Sequence, residues 1–94
     1  MRLARWMIER DIPSVGSLER AQLAQAAATS NAALARLAPD IRWVESYVAG
    51  EKTFYVYLAR DEDTIRRHAE ISGIPATRIT PIRKVIDPTT EKSG

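Results

Sequence analysis

The chain has 94 residues, of which 45% are hydrophobic and 28% charged, enough for one soluble domain with a modest core. Its formal net charge is +2, from 14 basic and 12 acidic residues, a balance too even to signal nucleic acid by itself. There is no cysteine, which excludes a disulfide framework, a thiolate metal site, an iron–sulfur cluster and a cysteine nucleophile. No apolar run is long enough for a signal peptide or a membrane span, so a cytoplasmic protein is expected.

Leu3 to Arg10 alternates as a strand, with Trp6 and Ile8 on one side and Met7 and Glu9 on the other. The stretch from Asp11 to Gly16 reads as a loop leading to Ser17, a candidate N-cap with Glu19 in the first turn. From Leu18 to Leu37 the chain is alanine-rich, and Leu23, Ala27, Ser30, Leu34 and Leu37 recur at helical spacing. Pro39 and Asp40 stop that helix.

Ile41 to Val48 and Lys52 to Ala59 read as two strands joined by a tight hairpin at Ala49-Gly50-Glu51. Asp61 can cap a second helix whose first turn, Glu62 and Asp63, suits the helix dipole. Gly73 ends it and Pro75 prevents its continuing. Ile79 to Ile86 reads as a fourth strand, with Pro81 placing it at an edge. The order β-α-β-β-α-β is the ferredoxin-like arrangement, with two helices on one face of a four-stranded antiparallel sheet. Residues 1–88 form the expected domain and 89–94 a flexible tail.

Period-two alternation divides the strands between two faces. Trp6, Ile8, Val44, Val48, Phe54, Val56 and Leu58 make an aliphatic set expected under the helices. Met7, Glu9, Trp43, Glu45, Tyr47, Tyr55 and Tyr57 are then left on the open face. That much exposed aromatic surface marks an interface or a ligand site. It fits a homodimer seam, or a pocket in which Glu9 or Glu45 serves as acid, base or ligand. In that pocket Tyr55 and Tyr57 orient a small molecule and Trp43 forms a wall. RNA is disfavoured, because two glutamates stand where phosphates need positive charge. Phosphate loops, serine-nucleophile turns and paired-histidine helices are absent.

His68, the single histidine, falls on the apolar stripe of the second helix with Ile65 and Ala69. A neutral imidazole with one nitrogen satisfied is the plain reading. A metal there would need carboxylates, water, backbone or a second chain, a donor set suiting a six-coordinate ion such as nickel. Helices over the sheet place His68 and Glu45 on opposite sides, so one chain alone does not join them.

IERDIP at 8–13, APDIRWVESYV at 38–48, the YVYLARDED, IRRHA and GIPA run through 55–76, and VIDPTT at 85–90 resemble a family of small bacterial proteins. That family is known in part as nickel-binding and ferredoxin-like. The resemblance runs through nearly the whole chain in order and implies a ferredoxin-like fold, pairing into a dimeric α+β barrel, and nickel as cofactor. It singles out Glu9, Glu45, Tyr47 and His68, with His68, Glu45 and Glu9 as the implied metal ligands. Many relatives carry cysteine where this sequence has Tyr55, a departure that weakens the nickel expectation. The alternative is an open-face pocket of the isomerase, cyclase or cofactor-free monooxygenase type, an analogy of fold alone.

Overall fold

The computed structural model describes residues 2–11 and 19–93. The expected loop after Asp11 and the Ser17 cap lie outside the described residues. The elements are β1 (Ala4–Asp11), α1 (Arg20–Leu37), β2 (Ile41–Ala49), β3 (Lys52–Ala59), α2 (Glu62–Ser72), β4 (Arg78–Pro81) and a 3-10 helix (Pro88–Ser93). The strands form one antiparallel sheet in the order β2-β3-β1-β4, so the β-α-β-β-α-β expectation holds and the fold is α+β. Among the described residues no helix is long and apolar enough to cross a membrane.

Local chemistry explains the boundaries. Glu19 caps α1, its backbone N–H donating to Gln22 Oε1 at 2.9 Å. Asp61 caps α2 by accepting from the Thr64 N–H at 2.8 Å, and Gly73 closes that helix at φ 74°, a conformation costly for any residue with a Cβ. Gly50, at φ 64°, turns the β2–β3 hairpin between the paired Ala49 and Lys52.

β4 is shorter than expected. Pro81 cannot donate to the ladder, and pairing ends there except for the Ile82 N–H, which reaches the Arg5 carbonyl at 2.9 Å. Val85 and Ile86 beyond it are exposed.

The assignment of faces needs correction. Across β1 and β3, Trp6 opposes Tyr57, Ile8 opposes Tyr55 and Arg10 opposes Thr53. Opposed residues share a face, so both tyrosines lie on the side of Ile8. That is the helix side: Ile8, Tyr57 and Ala59 pack in one core with Ile65 of α2 and Leu37 of α1. Phe54, Val56 and Leu58 therefore occupy the open side, with Met7 and Glu9. Both alternating sets of β3 are apolar enough to be buried, so its pattern alone does not choose between them.

Trp43 also moves to the covered face, for a different reason. The β2–β3 register shifts between Trp43, which opposes Tyr57, and Glu45, which opposes Val56. A bulge at Val44 thus breaks the period of two, and residues two apart point to opposite faces. Glu45 and Tyr47 remain on the open face as expected.

Candidate functional site

The covered face of the sheet is lined with aromatic rings. Trp43 stacks on Tyr55 with centroids 6.0 Å apart, and Tyr55 on Tyr57 at 5.8 Å. The ladder ends against His68 of α2, tilted over Tyr57 at 5.4 Å. α1 contributes only its C-terminal half to the packed core, burying Ser30, Ala33 and Leu37. Its N-terminal half carries alanines, too short to fill the space beneath them. A half-open cavity of about 440 Å³ results, lined by Ala26 and Ala27 of α1, by Trp43 and Tyr55 of the sheet, and by Ile74 and Pro75. The alanine richness that makes α1 a good helix also leaves this space.

Polar groups gather beside the cavity. Arg10 is fully buried, with its guanidinium carbon 4.6 Å above the Tyr55 ring. Arg10 Nη1 donates to the Ile74 and Pro75 carbonyls at 2.8 and 3.0 Å, pinning the segment between α2 and β4. No carboxylate pairs with Arg10 among the described residues, and residues 12–18 contain no acidic side chain. Thr53 opposes it across the ladder and lines the cavity.

His68 is also fully buried. Its Nε2 lies 3.3 Å from Ser30 Oγ and 3.4 Å from the Ser30 carbonyl. A carbonyl only accepts, which favours the tautomer with its proton on Nε2 and a lone pair on Nδ1. Burial pushes the His68 pKa down; the Ser30 carbonyl opposes the fall and the Arg10 charge adds to it, leaving a neutral ring at pH 7. Burial likewise raises the Tyr57 phenol, against the pull of the Arg10 charge and of the nearby Ser30 and Arg10 polar groups.

Five buried polar atoms in this layer make no hydrogen bond of normal geometry among the described residues: Arg10 Nε and Nη2, Thr53 Oγ1, Tyr57 Oη and His68 Nδ1, although Tyr57 Oη stands near enough to Ser30 and Arg10 for both to lower its pKa. Buried polar atoms are nearly always satisfied by protein, water or a ligand, and of these five Thr53 Oγ1 belongs to a residue that lines the cavity.

The site residues expected from sequence are divided by the sheet. Trp43, Tyr55, Tyr57 and His68 stand on the covered side, Met7, Glu9, Glu45 and Tyr47 on the open side. Glu9 faces Lys52 at 3.8 Å and Arg78 at 3.9 Å. Glu45 accepts the Tyr47 hydroxyl, a contact that raises the pKa of that exposed phenol. Among the described residues no three histidine, aspartate or glutamate side chains come together as metal donors. A nickel ion at His68 would meet the Arg10 charge and a phenol that resists ionisation, so the residues of one chain do not fit it.

Arg10, Thr53 and Ser30 escaped the sequence reading. Arg10 carried a signal: it continues the buried parity of Trp6 and Ile8, and a cation there has no solvent to face.

No curated protein matches the chain. Among solved structures, the crystal structure of SCO4226 from Streptomyces coelicolor A3(2) is similar, with a TM-score of 0.74 at 15% identity over 88% of this chain and 100% of that one. At that identity the likeness speaks for the fold. The family described as nickel responsive protein SCO4226-like matches residues 6–82, and the chain therefore belongs to that family.

Proposed function

We propose that the protein binds a small organic molecule in the cavity between α1 and the sheet. The observation that carries this reading is the cavity itself: apolar walls and an aromatic floor beside buried polar atoms without partners. It replaces the open-face pocket expected from sequence, because Trp43 and Tyr55 lie on the covered side while Glu9 and Glu45 do not. His68 is buried against Tyr57 and does not line the cavity, so it has no contact with a ligand held there. Neither glutamate reaches that layer.

The test is titration with a neutral aromatic probe, phenylethanol, read by tryptophan fluorescence, since Trp43 lines the space. Saturable binding that is lost in Ala27→Phe, which fills the cavity, supports the reading. A fluorescence change that never saturates, or that survives the filled cavity, sinks it.

A second reading is nickel binding, favoured by membership in a nickel-responsive family. Carboxylates for it stand on the open face, where the apolar stripe of Met7, Phe54, Val56 and Leu58 offers a surface for a second copy. In this reading Glu9 and Glu45 from two copies of the chain form the site, and His68 takes no part. Calorimetric titration of tag-free, chelator-stripped protein with nickel, beside Glu45→Gln and His68→Ala, decides it. Binding lost with Glu45 and kept with His68 supports that arrangement, and the reverse pattern refutes it. Light scattering of the same samples gives the oligomeric state.

A further inference from the structure

We infer that the cavity takes a small organic anion, a carboxylate on an apolar body of about one ring, with Arg10 as its counter-charge. This rests on the reading of the cavity as a ligand site and adds the chemical class of the ligand.

The first observation is the uncompensated charge. Arg10 is a cation removed from water, yet no carboxylate faces it among the described residues. Two backbone carbonyls and the face of Tyr55 soften the burial without neutralising it.

The second is which nitrogens remain. Nη1 is spent on the Ile74 and Pro75 carbonyls, while Nε and Nη2 make no hydrogen bond of normal geometry among the described residues, although the Tyr57 hydroxyl stands near enough for Arg10 to lower its pKa. Nε and Nη2 are the parallel side-on pair of the guanidinium, the edge that receives both oxygens of a carboxylate.

The third is how near Arg10 comes to the cavity, although it is not itself part of the lining. Thr53, Tyr55, Ile74 and Pro75 line the cavity, and each also adjoins Arg10, as ladder partner, ring or hydrogen-bond acceptor. The shell between cavity and charge is thus one residue thick. Thr53 Oγ1, buried and unpartnered on that wall, is a hydroxyl ready to donate to the same anion. The remaining walls are apolar, Leu23, Ala26, Ala27 and Trp43, and suit a hydrocarbon body.

The experiment compares two ligands of nearly equal size, phenylacetate and phenylethanol, by calorimetry on the tag-free wild type in low salt. Phenylacetate is expected to bind about tenfold tighter or better, the gain from charge-assisted hydrogen bonds in a desolvated site. Arg10→Gln should bring phenylacetate down to the affinity of phenylethanol while leaving the alcohol unchanged. Thr53→Val should weaken phenylacetate several-fold and the alcohol by less, because a neutral oxygen accepts a weaker hydrogen bond. If Arg10→Gln does not fold, the wild-type pair and Thr53→Val decide the matter. Equal affinity for acid and alcohol would leave the cavity reading standing and overturn the anion. Failure of both to bind would overturn the two together.

Discussion

The two faces of one sheet handle polar groups in opposite ways. On the open face Glu9 lies between Lys52 and Arg78, and Glu45 takes the Tyr47 hydroxyl, so both carboxylates have a partner and water besides. On the covered face Arg10, Thr53, Tyr57 and His68 are buried with atoms left unpaired among the described residues. Side chains with similar chemistry therefore carry different information. A satisfied charge in water contributes little to stability and constrains little. An unsatisfied polar atom in a core is a standing cost, kept where it does something else.

The sharpest way to break this contrast is to truncate one tyrosine on each face. Tyr57→Ala removes a fully buried ring from the core and should cost about 3–5 kcal/mol in denaturant unfolding. Tyr47→Ala, at 52% exposure, should fall within about 0.5 kcal/mol of wild type. Comparable losses would mean that the open face is covered in solution, as a homodimer would cover it.

Next in size is the response to acid. Burial holds the folded pKa of His68 below its unfolded value of about 6.5. Between those values the unfolded chain binds a proton that the folded chain does not, so stability is complete above the unfolded value and is lost as pH falls through the window. Among the described residues, the charged or titratable groups facing the ring are the Arg10 cation and the Tyr57 phenol, whose raised pKa keeps it neutral in this window. The slope approaches at most about 1.4 kcal/mol per pH unit for a single group. His68→Phe should flatten that part of the profile, and an unchanged slope would place the titration elsewhere.

A smaller effect, opposite in sign, is expected from Tyr57→Phe. The hydroxyl is buried near Ser30 and Arg10 but makes no hydrogen bond of normal geometry among the described residues, so deleting it should leave stability unchanged or raise it by up to about 1 kcal/mol. A clear loss would show that the phenol has a partner, such as an ordered water. The smallest change is Glu9→Gln. Its ion pairs span 3.8 and 3.9 Å to exposed cations, so the effect should stay within about 0.5 kcal/mol and fade with salt.

Much of this molecule was legible in its sequence. The period changes, the Asp61 cap, the Gly73 and Gly50 turns and the hairpin spacing dictate β-α-β-β-α-β, because each acts within a few residues along the chain. Burial of His68 followed from its place beside Ile65 on an apolar helix stripe. Its separation by the sheet from Glu45 followed from helices covering one face only. The motifs shared with the nickel-responsive family were equally readable, being local and in order.

Tertiary structure decided what lies against what. The parity of β3 was undecidable from a strand whose two faces are both apolar, and only pairing with β1 put Tyr55 and Tyr57 under the helices. The bulge at Val44 turned Trp43 inward while leaving Glu45 outward, a one-residue slip that no fixed period anticipates. The cavity required a stretch of small side chains to be laid over those particular rings. Arg10 acquired its meaning in the same way. A strand arginine is ordinary in sequence, and the covering of its side chain makes it a buried charge beside a space for its counter-ion.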